Sequence, residues 1–127
     1  MKHEQVVREY IHRINTADVE GLLELMTPDH VFYVEGEPPL SGTQVMREAW
    51  KGYCAAYPTY HINVDEVYDQ QETIIVLGHT SGSQVPASVE SKPSSVLWEA
   101  RLRDGLIATW IISYPVTPET RKRFHLS

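Results

Sequence analysis

The sequence predicts an α+β fold in which three N-terminal helices pack into the concave face of a curved, mostly antiparallel β-sheet. Three observations predict it. Apolar residues recur at helical spacing in three segments before Pro58. From Tyr60 onward the apolar period changes to two. Asp104-Gly105 then joins two alternating segments, a strong hairpin signal because both residue types tolerate positive φ.

The elements follow in order. Val6, Val7, Tyr10, Ile11 and Ile14 form one face of a helix from His3 to about Asn15. Asp18 caps a short second helix carrying Leu22, Leu23, Leu25 and Met26, which Pro28 ends. His30 to Glu35 is β-branched and aromatic, hence a strand. Gly36 to Leu40 is a loop. Ser41 and Gln44 have capping-box spacing for a third helix. That helix gathers Val45, Met46, Ala49, Trp50, Tyr53, Cys54 and Tyr57 on a broad face. Tyr60, Ile62 and Val64 then alternate with polar residues. Thr73 to Gln84 is a long strand with kinks or bulges at Gly78 and Gly82. Val85 to Pro93 is a polar loop. Ser94 to Arg103 and Leu106 to Tyr114 are the last two strands. A twisted sheet bent at bulges becomes concave, and helices laid in it leave a blind pocket suited to small apolar molecules.

The chain of 127 residues has room for one domain, 1–127. Its 42% hydrophobic and 22% charged residues suit a globular protein. A formal charge of -6 repels phosphate backbones and anionic lipid, so neither nucleic acid nor a membrane surface is the expected partner. Arg121, Lys122 and Arg123 form the one basic run, expected as a solvated helix end. Cys54 is the only cysteine, so no disulfide framework or zinc spacing exists. The opening MKHEQVVREY lacks a signal-peptide apolar run, and the expected location is cytoplasmic. His3, His12, His30, His61 and His125 are scattered and form no metal motif; no metal or other cofactor is expected.

REYIHRINTADVEGLLELMTPDHVFYVE, followed by PLSG and the Trp50 helix, resembles the opening half of the nuclear transport factor 2 / ketosteroid isomerase (SnoaL-like) superfamily. RLRDGLIATW resembles the closing hairpin of the same superfamily. The resemblance implies the cone-shaped fold of that superfamily. It also implies a pocket and a homodimer through the sheet, as in many relatives. Tyr10 falls where ketosteroid isomerase keeps its oxyanion-hole tyrosine. The position of the family's general base falls on Val34, with Glu35 next to it. The second oxyanion donor falls on Trp98. Two of three catalytic positions therefore depart from the steroid isomerase pattern, and the fold alone does not choose a function.

The residues leave alternatives open. Strand alternation puts Ile75, Leu77 and His79 on one face of their strand; on the same argument Trp98, Ala100 and Leu102 share a face of theirs, as do Trp110, Ile112 and Tyr114. His79 is a candidate general acid or base facing an apolar cavity, or a histidine satisfied at the sheet edge. Tyr10 either donates to a ligand oxygen or packs its ring on the sheet. Glu35 is either a displaced carboxylate base or a solvated strand end. Trp50, Tyr53, Leu77, Trp98, Trp110, Ile112 and Tyr114 are candidate pocket walls, or simply core. The resulting expectation is cofactor-free acid/base chemistry, of isomerase, cyclase, dehydratase or hydrolase type, on a small apolar substrate. The alternative is a non-catalytic ligand-binding or dimerisation module.

Overall fold

The computed structural model describes residues 2–126; Met1 and Ser127 of the expected domain 1–127 lie outside the described residues. Helix α1 runs His3–Asn15 and buries the five expected apolar residues. Helix α2 is Val19–Glu24, with Gly21 N–H donating to the Asp18 carboxylate at 3.0 Å. Strand β1 is Met26–Val34, β2 is Leu40–Ser41, and α3 is Thr43–Ala56. Strands β3 (His61–Gln70) and β4 (Thr73–Ser81) follow. A short α4 (Ala87–Glu90), β5 (Val96–Arg103), β6 (Leu106–Ser113) and α5 (Pro118–Arg123) complete the chain.

The six strands form one sheet in the order β2-β1-β6-β5-β4-β3. Among the described residues only the β1–β6 pair is parallel. Helix α1 lies against β3, β4 and β6, α3 lies against β1 and β2, and α2 bridges the two helices. The three helices thus fill the concave face as expected. The Asn15 side chain ties α1 to the sheet through two bonds with the backbone of Ile62, at 2.8 and 3.1 Å.

Several local expectations change. Pro28 lies inside β1 and does not end a helix: β1 and β6 are out of register between Met26 and Val31, so the absent N–H of proline costs no ladder bond there. The cap of α3 is Gly42, at φ +92, and no side chain caps the helix; Ser41 instead belongs to β2 and pairs with Val31 of β1. Val45 is 47% exposed and stands off the inner face of α3. The expected loop 85–93 carries α4. At Asp104-Gly105 both residues have positive φ, as a two-residue hairpin requires.

The sheet buries side chains on both faces. Val76, Trp98, Ala100, Trp110 and Ile112 join the helices in the main core. Ile75, Leu77 and Leu97 form a second cluster on the outer face, covered by Phe124 and Leu126 of the C-terminal segment. The basic run is therefore not merely solvated. Arg121 pairs with Glu66 at 2.8 Å and Arg123 with Glu35 at 2.9 Å, fastening α5 across the sheet. No described helix is long and apolar enough to cross a membrane.

Candidate functional site

A cavity of about 200 Å³ opens between α3 and the concave sheet. The rings of Phe32, Trp50, Tyr53 and Tyr60 line it, with Met46, Ala49 and Ile112 between them. Leu40 and Gln84, both exposed, complete the lining at the solvent side. Helical spacing explains the α3 contribution, since residues 46, 49, 50 and 53 share one face. Strand alternation explains Phe32 and Ile112, which belong to the inward sets of β1 and β6.

The rings contact one another as a chain. Centroids are 6.0 Å apart for Phe32–Trp50 and for Trp50–Tyr53, and 4.9 Å for Tyr53–Tyr60. The successive planes are steeply inclined, at 66°, 83° and 84°. These edge-to-face contacts are the favoured arrangement of aromatic quadrupoles. The Tyr53 hydroxyl donates to Gln84 Oε1, tying the loop after β4 to α3. Burial raises the pKa of both the Tyr53 and Tyr60 hydroxyls, so they remain neutral donors at physiological pH.

Of the expected wall residues, Trp50, Tyr53 and Ile112 line the cavity. Trp98 and Trp110 lie on the same face of the sheet but deeper, fully buried in the core. Tyr114 packs half-buried against that core without joining the cavity wall. Leu77 is a correction. Val76 pairs with Trp98 and Leu77 with Leu97, so Val76 takes the inner face and Leu77 the outer one.

The same register moves His79 away from the pocket. Its Nδ1 lies 3.0 Å from Asp65 Oδ2, and Asp65 also accepts from the backbone N–H of Ser94 at 2.7 Å. Glu35 is a third correction. It is exposed and bonds Arg123 and Ser113 across the outer face. Tyr10 is fully buried beneath the cavity, its ring 4.8 Å from that of Trp110. Desolvation raises its pKa far above the ordinary phenol value. The structure therefore brings Tyr10 and the tryptophans together and separates them from His79 and Glu35.

Two features lie beyond the sequence reading. His30 is wholly buried, with Nδ1 2.7 Å from the Ile107 carbonyl oxygen and its ring 6.4 Å from Tyr10. Desolvation lowers its pKa, keeping it neutral. The indole N–H of Trp50 approaches the Tyr10 hydroxyl and that of Trp98 approaches the Tyr60 hydroxyl, neither with ordinary hydrogen-bond geometry. Tyr60 and Gln84 are the missed polar lining groups. Alternation from Tyr60 through Val64 carried a signal for Tyr60, whereas nothing in the pattern distinguished Gln84.

The model of the SnoaL-like domain matches residues 7–110. The chain belongs to the SnoaL-like family. No curated protein matches it at a significant level. Among solved structures, this SnoaL-like chain is similar to an uncharacterized cystatin-fold protein from Novosphingobium aromaticivorans. The TM-score is 0.75 at 16% identity, covering 88% of this chain and 97% of that one. A candidate polyketide cyclase from Sinorhizobium meliloti gives a TM-score of 0.72 at 23% identity, covering 85% and 93%. The epoxide hydrolase/cyclase-like enzyme SalBIII, concerned with pyran ring formation in the polyether salinomycin, gives 0.71 at 15% identity, covering 88% and 89%. These likenesses share the fold.

Proposed function

We propose that this SnoaL-like domain binds a small, largely apolar molecule between α3 and the sheet, and that binding itself is its function. One observation carries the reading: the nine lining residues include neither carboxylate nor imidazole, while His79 and Glu35 stand on the opposite face. General acid/base catalysis needs a titrating group within hydrogen-bond reach of the reacting atom. The lining offers neutral hydroxyls, one amide and hydrocarbon, which bind and orient. An engineered cavity of roughly 150 Å³ accepts benzene, so this one suits a molecule of roughly ten heavy atoms.

A second reading keeps catalysis but changes its residues. The cyclase-like neighbours and the neutral Tyr60 hydroxyl favour it. Tyr60 would polarise a ligand oxygen, and the substrate would supply its own base.

The test is titration of monocyclic apolar ligands, followed by tryptophan fluorescence, since Trp50 lines the cavity. Ala49→Trp fills the space and is expected to weaken binding about tenfold or more while the thermal midpoint is kept. Equal binding by that variant would place the ligand elsewhere. The homodimer through the sheet is a separate proposal, left to the part of the outer face that α5 does not cover, and sedimentation velocity reads it directly.

A further inference from the structure

We infer that the ligand of this pocket carries one bulky, weakly hydrated positive charge, of the quaternary ammonium class. The inference rests on the binding reading above and names the chemical class that the site selects. Phe32, Trp50, Tyr53 and Tyr60 supply four aromatic rings to one small cavity. A ring's π-face is the negative end of its quadrupole and attracts a cation within about 6 Å of the centroid. A group lodged in the angle between two near-perpendicular rings meets the faces of both. Tyr53 stands at 83° to Trp50 and at 84° to Tyr60, so the lining rings are set at near-right angles to one another.

The surrounding charge has the matching sign. Glu90 lies behind the loop that carries Gln84, its carboxylate held by the Ser83 N–H at 3.0 Å and the Thr80 hydroxyl at 3.1 Å. Burial opposes its ionisation, but those bonds outweigh it and the group stays anionic at neutral pH. Its charge acts on the hydroxyls of both Tyr53 and Tyr60. Among the described residues no lysine or arginine lines the cavity. The cations of α3 are directed elsewhere: Arg47 pairs with Glu20 at 2.9 Å, and Lys51 acts on the same carboxylate. The net charge of -6 further favours arrival of a cation over an anion.

The same walls choose between kinds of cation. A primary ammonium carries three N–H donors and needs acceptors for them. Here the acceptors are few, the Gln84 carbonyl that already accepts from Tyr53 and the two tyrosine hydroxyls, and most of the lining is hydrocarbon. A quaternary nitrogen has no N–H to satisfy and sheds its water more readily.

The experiment uses a pair of isosteric probes on the intact protein. Phenyltrimethylammonium and tert-butylbenzene have the same shape and differ by the charge. Both are titrated calorimetrically at low and at physiological salt. The expected result is binding of the cation at least fivefold tighter than the hydrocarbon. In Glu90→Gln the cation loses more affinity than the hydrocarbon, so that ratio falls. Hydrocarbon binding equal to or tighter than cation binding overturns the charge inference and leaves the binding reading standing. Failure of both probes to bind, with Ala49→Trp indistinguishable from the parent, overturns the binding reading and the inference with it.

Discussion

The imidazole Nδ1 of His79 lies 3.0 Å from Asp65 Oδ2 on the side of the sheet away from the aromatic cavity. Asp65 occupies that position because β3 and β4 change register between Val64 and Glu66, leaving it as the extra residue of a bulge. The pair closes a surface contact. Both side chains are partly exposed, at 31% and 24%, so the pair contributes within about 1 kcal/mol. His79→Ala is therefore expected to leave ligand affinity unchanged and to lower the urea midpoint only slightly. A tenfold loss of affinity in that variant would restore His79 to the site.

Gly78 is the inward side of the same bulge. A Cβ there would stand 2.1 Å from the Asn63 carbonyl oxygen and 3.2 Å from the Trp98 ring. Neither neighbour yields cheaply, since one is backbone and the other is a fully buried indole. Gly78→Ala is expected to destabilise the fold by about 3 kcal/mol or more, in the range of core overpacking. Chemical denaturation measures it. A loss under 1 kcal/mol would mean that the bulge relaxes freely.

Asn15 acts as a short surrogate strand at the start of β3. Its amide donates to the Ile62 carbonyl and accepts the Ile62 N–H, and Ile62 is 2% exposed. Asn15→Ala leaves two backbone groups without these partners, at a cost of about 1–3 kcal/mol. Asn15→Asp keeps the acceptor and loses the donor, so its midpoint is expected to fall between those of the parent and the alanine variant.

The α+β architecture was legible because its signals are local: helical spacing through α1 and α3, alternation in β5 and β6, and the Asp104-Gly105 turn. The face of β4 was not. Ile74 through Gly78 are all buried, since α5 covers the outer face, and a strand buried on both sides carries no inside-outside alternation. Grouping Leu77 with His79 was correct, but only pairing with Trp98 and Leu97 tells which group faces the helices. Trp50 and Tyr53 were legible from spacing on α3. Gln84 was not, because it reaches the cavity through a loop path that no periodicity describes. The role of Arg121 and Arg123 escaped because their partners, Glu66 and Glu35, are far away in sequence.

That C-terminal anchor makes the last prediction. Arg121, followed by the Tyr68 and Ser94 hydroxyls, pulls the Glu66 carboxyl from its usual 4.5 down to about 2. A folded-state pKa below the unfolded one stabilises the fold above the unfolded value, and that contribution disappears as pH falls toward the folded value. The window therefore runs from about pH 5 down to about pH 2. Both partners are near one-third exposed, so solvent screening reduces the effect. Stability of the parent is expected to fall more steeply across this window than that of Glu66→Gln, with the two curves converging near pH 2. Proteolysis near Phe124 gives the local readout: cleavage should rise in the parent as pH falls and should already be high in the variant at neutral pH. Parallel denaturation curves for the two proteins from pH 7 to 2 would show that Phe124 and Leu126 hold α5 in place without the ion pair.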